Sequence, residues 1–279
     1  MARRRYVQCD VFSPVPTQGN ALAVVVNAEG LSDETMQRFA AWTNLAETTF
    51  LFPPDNPAND YKVRIMTPTR EMLFAGHPTL GSCAAWLQSG GVPKTKGVVR
   101  QECGVGVVKV HYGATNAFAF EAPPTEIRAM DVELRASILG ALGISENQVL
   151  RGVQLNNGPV WQAFELASAQ DVLAVDSSLV RWPMFKAIGL IGAHNVGAEA
   201  DFEVRMLAPS SGMSEDPITG SLNSALAHWL QQQGRLEGAL SIAQGTAINR
   251  CGRVSVGCDG SNVRIGGDVH LLIEGEVNL

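Results

Sequence analysis

Two short segments of this 279-residue chain place a titratable side chain directly before a proline and a helical pattern. His77-Pro-x-x-Gly-Ser82 and Asp216-Pro-x-x-Gly-Ser221 align without a gap. Proline suits the first position of a helix, because the N–H that it lacks would have no partner there. Helix N-termini bind anions through free N–H groups and the helix dipole. Each segment is therefore expected to begin a helix that can bind a carboxylate.

Asp216 is a strong candidate for the N-cap of its helix, and His77 is a weaker one. The amide donors are then expected to belong to Thr79, Leu80 and Gly81 in one half of the chain, and to Ile218, Thr219 and Gly220 in the other. If the two halves face each other, both helix N-termini open into one cleft. Singly, each residue is more often structural than catalytic. Capping alone, however, would not require histidine in one segment and aspartate in the other.

A third titratable residue, Glu47, lies between a predicted helix and a predicted strand. Ser32 begins a segment with N-cap and first-turn acidic residues, and apolar residues follow at helical spacing up to Asn44. Residues 48–52 are typical of a strand. A side chain at the end of a helix or strand can reach into a functional site, and Glu47 is placed at such an end.

The order of predicted elements repeats in the two halves. A strand that ends at Pro68 or Pro209 is followed by a loop, an apolar helix and two more strands. This repeat is too long for a solenoid unit, so it predicts two similar domains, residues 1–121 and 122–279, whose last strand could pack back on the first. The helix over 79–87 is apolar on all sides and must be buried all round. A curled sheet would bury it, which predicts an α+β fold.

Composition excludes several classes of function. The net charge of −6 provides no basic field for nucleic acid or an anionic membrane. The five cysteines are odd in number and form no C-x-x-C pair, which argues against a disulfide framework or a zinc site. No apolar run approaches the roughly 20 residues of a membrane span. The remaining histidines do not cluster, and Gly104-Val-Gly106 lacks the third glycine of a dinucleotide fingerprint. A cytoplasmic protein without a metal is expected.

Six segments together resemble the PhzF-like family of phenazine biosynthesis, in order and over nearly the whole chain. They are Asp10-Val11-Phe12 through Gly19-Asn20, Asn44 to Phe50, Ala75 to Gly81, Glu215 to Ser221, Gln244-Gly245 through Arg250, and Val263 to Ile273. Each segment alone is a modest signal, whereas the ordered set is specific.

The resemblance implies a diaminopimelate epimerase-like fold with the active site between two domains. It implies that Glu47 is the acid/base, that His77 and Asp216 support it, and that Gly76, Gly220 and Ser221 bind substrate. It also implies a homodimer and an isomerase without cofactor that moves hydrogen on a small anionic substrate such as a dihydro-hydroxyanthranilate. Because an acid/base works best with a pKa near the operating pH, a raised Glu47 pKa is our hypothesis.

Two alternatives stay open. One is a racemase or epimerase on the same fold with a thiol at the start of each helix, although Cys83 lies six residues beyond His77 and reads as core packing. The other is a binding protein that kept the fold without catalysis. Glu71 and Glu215 are interpreted as loop or capping residues and Arg70 as an anion-attracting or solvated residue. The loop Ser210–Ser214 departs from the family pattern and is expected to influence substrate choice.

Overall fold

In the computed structural model, residues 2–180, 184–185, 187–207, 214–260 and 262–279 are described. Pro209 and most of the loop Ser210–Ser214 lie outside these residues. Contacts divide the chain into two compact units. The first unit comprises Met1–Glu121 and Gly266–Leu279, and the second comprises Ala122–Ile265.

The elements are numbered in chain order. The strands are β1 (Arg3–Val11), β2 (Asn20–Val25), β3 (Glu47–Phe52), β4 (Tyr61–Met66), β5 (Glu71–Met72), β6 (Val98–Cys103), β7 (Gly106–Tyr112), β8 (Ala117–Glu121), β9 (Glu126–Arg128), β10 (Val149–Asn156), β11 (Val160–Leu166), β12 (Ile188–Ala193), β13 (Phe202–Leu207), β14 (Glu215–Asp216), β15 (Ala239–Gln244), β16 (Gly252–Asp259) and β17 (Asn262–Asn278). The α-helices are α1 (Asp33–Thr43), α2 (Gly76–Gln88), α3 (Val132–Leu142), α4 (Ala169–Ala174) and α5 (Gly220–Gln232).

In the first unit, a curled sheet surrounds α2. Antiparallel pairs join β1 to β2 and to β17, β3 to β4, β6 to β7, and β7 to β8. Parallel pairs join β2 to β3 and β4 to β6. The Val269 amide donates to the Asn116 carbonyl at 2.9 Å beside β8, which closes the series of strands. Helix α2 contacts strands on several sides, and Gly76 to Ala85 are buried, as an apolar helix requires.

The second unit repeats this pairing order. Antiparallel pairs join β9 to β10, β10 to β11, β12 to β13, and β15 to β16. Parallel pairs join β11 to β12 and β13 to β15. Helix α5 contacts β10 and β16, and Gly220 to Ala227 are buried. Parallel and antiparallel pairs therefore follow one another around α5 in the same order as around α2.

The predicted helix that ends near Asn44 is confirmed. The Ser32 side chain accepts from the Thr35 amide at its N-terminus, and Asn44 adopts a left-handed conformation, φ 53°, at its C-terminus. Both residue types suit those positions, because serine satisfies an unpaired amide and asparagine tolerates positive φ. The predicted loop from Arg70 to Gly76 contains the two-residue strand β5, which the sequence pattern did not indicate.

The short strands β5 and β14 correct the gapless alignment of the two helical segments. Met72 pairs with Ile65 of β4, and Asp216 pairs with Met206 of β13. Helix α2 begins four residues after Met72, and α5 begins four residues after Asp216. Asp216 is therefore the structural equivalent of Met72 and not of His77.

The two helix starts then correspond as Gly76-His77 and Gly220-Ser221. The N-caps are Ala75 and Thr219, so neither His77 nor Asp216 caps its helix as predicted. Amides of the first turn have no acceptor within a helix. In this structure they belong to Gly76 and His77 of α2 and to Gly220, Ser221 and Leu222 of α5.

Most of the predictions of which amides can bind an anion are therefore wrong. The Thr79 amide donates to the Ala75 carbonyl at 3.2 Å, and the Thr219 amide donates to Gln244 Oε1 at 3.1 Å. Leu80 and Gly81 lie further inside α2, and of the predicted donors only Gly220 keeps a first-turn amide.

An arginine–glutamate pair occurs at the same place in both units. Glu71 of β5 accepts two hydrogen bonds from Arg64 of β4, at 2.7 and 2.6 Å. Glu215 of β14 accepts two from Arg205 of β13, at 3.0 and 2.7 Å. The side chains of Arg205 and Glu215 are 3% and 0% exposed, against 23% and 41% for Arg64 and Glu71. Glu71 and Glu215 are thus strand residues in ion pairs.

We expect Glu215→Gln to lower the free energy of unfolding by about 3–5 kcal/mol, because it leaves the buried Arg205 charge without its counterion. The matched change Glu71→Gln should cost about 1 kcal/mol or less, because water solvates the more exposed Arg64. Denaturant unfolding monitored by circular dichroism measures both. Equal costs for the two variants would contradict this assignment of the buried pair.

Candidate active site

Three elements of the first unit begin close together. Strands β2 and β3 run parallel, with Leu22 opposite Glu47, so the first residue of each strand lies at the same edge of the sheet. Asn20 begins β2, Glu47 begins β3, and His77 is the second residue of the enclosed helix α2. Polar side chains from three distant parts of the sequence therefore meet at one place.

His77 lies between the other two side chains. Its Nε2 atom is 3.2 Å from Glu47 Oε2, and its Nδ1 atom is 3.2 Å from Asn20 Nδ2. The His77 side chain is 4% exposed and that of Glu47 is 15% exposed. The Glu47 carboxylate is thus partly accessible to solvent, and the His77 imidazole behind it is buried.

Burial determines the protonation state of this histidine. It lowers the pKa of His77 from 6.5 to about 3, although the Ala21 carbonyl favours the protonated ring and opposes the shift. Water would stabilise the charged ring, and removing that water disfavours the charge. His77 is therefore neutral near pH 7. The Asn20 amide nitrogen can only donate, so Nδ1 accepts and the ring proton resides on Nε2. Nε2 lies 3.2 Å from Glu47 Oε2, a close contact whose angle is not that of a hydrogen bond.

Asn20 is held by the loop between β1 and β2. The Gly19 amide donates to Asp10 Oδ2 at 2.9 Å, and Asp10 is buried. A Cβ atom on Gly19 would lie 2.3 Å from the Val11 carbonyl oxygen, so only glycine allows this close approach. Gly19-Asn20 belongs to one of the motifs in the sequence, but no role was predicted for Asn20. The available signal was a polar residue that begins an otherwise apolar, buried strand.

In the second unit, Asp216 lies just before the start of α5. Its Oδ2 atom accepts from the Thr219 hydroxyl at 2.5 Å. The Ser221 carbonyl accepts from Asn157 Nδ2 at 2.8 Å, and Asn157 Oδ1 accepts from Trp161 Nε1 at 2.9 Å. Asn157 therefore braces the first turn of α5, a role that no sequence pattern indicated.

The structure thus brings together Glu47 and His77 in the first unit, with Gly76 in the preceding position of α2. It brings together Asp216, Gly220 and Ser221 in the second unit. The prediction that both groups open into one cleft stays a prediction.

The site in the first unit combines a partly solvated carboxylate, Glu47, with the neutral N–H group of His77 and the start of α2. A carboxylate within reach of a substrate can accept a proton, and a helix start can bind an anion.

Among the described residues no group of three His, Cys, Asp or Glu side chains could hold a metal ion, and no helix in the described part of the chain is long and apolar enough to cross a membrane. Burial raises the pKa of the Cys83 thiol, which disfavours the reactive thiolate.

Comparisons with known proteins agree with this fold. The family model for PhzC-PhzF, described as "Phenazine biosynthesis-like protein", matches residues 9–275. A Schizosaccharomyces pombe protein named "Antisense-enhancing sequence 1" is 33% identical, with 99% of each chain covered. A Pseudomonas aeruginosa protein named "Trans-2,3-dihydro-3-hydroxyanthranilate isomerase" is 31% identical, with 94% of this chain and 92% of that protein covered.

Two solved structures extend the comparison of the fold. A PhzF family protein of Bacillus anthracis covers 100% of both chains with a TM-score of 0.83 and 21% identity. A probable proline racemase of Agrobacterium radiobacter covers 99% of this chain and 93% of its own, with a TM-score of 0.67 and 14% identity. The sheet-rich α+β fold is therefore that of PhzF proteins and proline racemase-like enzymes.

The shifted pKa of His77 predicts a pH dependence of stability. Between about pH 6.5 and 3 the unfolded chain binds a proton at His77 that the folded chain excludes, so acid lowers stability. From pH 7 to 5 this one group should remove about 2 kcal/mol from the free energy of unfolding. His77→Gln lacks the titration and should lose about 2 kcal/mol less over that interval.

Denaturant unfolding at several pH values measures the two slopes, which remain comparable even if the variant is less stable throughout. His77→Asn is the second variant, and it should show the same reduced slope. Parallel pH profiles for wild type and both variants would show that His77 is not a buried neutral ring.

Proposed function

The chain belongs to the PhzC-PhzF family of phenazine biosynthesis-like proteins and is an isomerase, and we propose that Glu47 carries out its reaction by moving a proton on a small carboxylate-bearing substrate. The proposal rests on one observation above the others, the 3.2 Å contact between Glu47 Oε2 and His77 Nε2 in a buried setting. A compound similar to trans-2,3-dihydro-3-hydroxyanthranilate is the proposed substrate, and no cofactor is required.

In the first step of this proposal, the Glu47 carboxylate takes a proton from a carbon atom of the substrate. The electron pair of the broken C–H bond enters the conjugated system of the substrate. In the second step, Glu47 returns the proton to a different carbon, which restores the carboxylate and completes the isomerisation. One proton is moved, and no oxidant or reductant is consumed.

His77 is proposed to orient the carboxylate during both steps. In the substrate complex, a neutral N–H group this close to one carboxylate oxygen can donate to it without competing for the substrate's proton, because the Nε2 atom already carries a hydrogen. A histidine with a pKa of about 3 is also a very weak base near pH 7. The proton therefore stays with Glu47 between the two steps.

The substrate carboxylate is proposed to bind at the helix starts. The Gly76, Gly220 and Ser221 amides belong to first turns, where no intrahelical acceptor competes for them. Glycine at the first position of each helix leaves room for an anion to approach the backbone. Asp216 is proposed to hold a hydroxyl or amino group of the substrate.

A racemase with two thiols is less well supported as a function. The positions at the helix starts are Gly76-His77 and Gly220-Ser221, and neither pair includes a thiol. The buried Cys83 has a raised pKa and does not fit a thiolate base. A binding protein without catalysis would not require a carboxylate and a neutral imidazole in contact at a partly solvated place.

Carbon–proton exchange in heavy water tests the proposal. We expect the full-length protein to incorporate deuterium into trans-2,3-dihydro-3-hydroxyanthranilate or a related amino or hydroxy acid from a panel, followed by mass spectrometry. Glu47→Gln should lower the rate by about 10²–10⁴-fold, because an amide cannot accept the proton. The matched control, Glu29→Gln, makes the same change at an exposed residue and should retain the rate.

The outcomes are distinct. Exchange that is lost only in Glu47→Gln supports the proposal and identifies the substrate class. Exchange that persists in Glu47→Gln would contradict the role of Glu47. Absence of exchange with every compound in wild-type protein would contradict the proposed substrate class.

A further inference from the structure

A buried hydrogen-bond network surrounds Asp216 in the second unit. Gln244, the last residue of β15, is fully buried, and Thr219, Asn223 and Asp216 are also buried. Gln244 Oε1 accepts from the Thr219 amide at 3.1 Å and from Asn223 Nδ2 at 2.8 Å. Gln244 Nε2 donates to the Thr219 hydroxyl oxygen at 3.1 Å and to the Asp216 carbonyl at 3.3 Å.

Each hydrogen bond in this network has only one possible direction. A backbone amide can only donate, so the atom of Gln244 that faces the Thr219 amide must be the oxygen. The other end of the Gln244 side chain is then the amino group, which donates to the Thr219 hydroxyl oxygen. The Thr219 hydroxyl has a single proton, and its remaining short contact is with Asp216 Oδ2 at 2.5 Å. The threonine must therefore donate that proton to the aspartate.

Asn223 supports the same assignment independently. Its Nδ2 atom donates to the Thr219 carbonyl at 3.0 Å, and a carbonyl can only accept. The same amino group therefore also donates to Gln244, which must accept through Oε1. Two main-chain groups of Thr219, one donor and one acceptor, thus fix the orientation of both carboxamides.

We propose that Thr219 and Gln244 are positioning residues that commit Asp216 Oδ2 as a hydrogen-bond acceptor, so that any proton taken up by Asp216 must go to Oδ1. The function of this arrangement in catalysis rests on the proposed function of the preceding section. It distinguishes the two oxygens of Asp216, because the Thr219 hydroxyl donates to Oδ2. Charge-assisted hydrogen bonds to an ionised carboxylate favour the ionised form.

The first unit shows that this arrangement is not required by the fold. The N-cap position equivalent to Thr219 is Ala75, which has no hydroxyl. A buried glutamine, Gln101, is present there as well, but it accepts from the Tyr61 hydroxyl at 2.5 Å and donates to Thr79 Oγ1 at 3.3 Å. Gln101 therefore binds interior side chains of the first unit, whereas Gln244 binds the threonine that donates to the Asp216 carboxylate.

The test is a carboxyl titration of the full-length protein by ¹³C NMR, without substrate. Loss of the resonance in Asp216→Asn identifies the Asp216 carboxyl carbon. In Thr219→Val, which keeps the size of the side chain and removes the hydroxyl, we expect the titration midpoint of Asp216 to move up by about one pH unit, because the ionised form loses a donor. Thr219→Ser should restore the wild-type midpoint.

Two further variants keep the result interpretable. Gln244→Met leaves the hydroxyl free to rotate and should move the midpoint in the same direction by a smaller amount. Thr79→Val removes a buried hydroxyl that donates to the Ala75 carbonyl, so it should lower stability without moving the Asp216 midpoint. A Thr219→Val protein that is folded and titrates as wild type would overturn the proposal. Because no substrate is involved, that result would leave the proposed isomerase reaction untouched.

Discussion

The arrangement of this protein depends on placing a neutral imidazole against a carboxylate at the end of a buried helix. His77 is uncharged at its position near pH 7, because the curled sheet around α2 removes the water that would stabilise a charged ring. Glu47 can lie 3.2 Å from it because β3 begins beside β2, where parallel pairing brings Leu22 opposite Glu47. The sheet thus determines both the protonation state of His77 and the location of the carboxylate.

The two units use one scaffold for different side chains. Both have the same order of strand pairs, a 13-residue buried helix, and an arginine–glutamate pair between corresponding strands. They differ where the helix begins: His77 in α2 corresponds to Ser221 in α5, and Ala75 corresponds to Thr219. Since this is where first-turn amides are available, the two units present different side chains at the chemically useful positions.

Much of this fold could be predicted, because local signals agreed with tertiary structure. Helix α1 has a serine at its N-cap and an asparagine at its C-cap, and α2 is apolar on all sides. The gapless alignment failed because spacing from a proline does not decide where a helix begins. Gln244, 25 residues after Thr219, binds the Thr219 amide and helps to start α5 at Gly220. Asn20 and Asn157 were missed for the same reason, since their roles depend on contacts far away in the sequence.

Everything proposed for Glu47 requires that its carboxylate faces a neutral His77 with the ring proton on Nε2. Imidazole ¹⁵N chemical shifts, assigned by the loss of signal in His77→Asn, measure this directly between pH 5 and 8. We predict a protonated Nε2, an unprotonated Nδ1 and no titration over this range. A ring protonated on both nitrogens, or on Nδ1 alone, would contradict the claim and would require a different role for this pair.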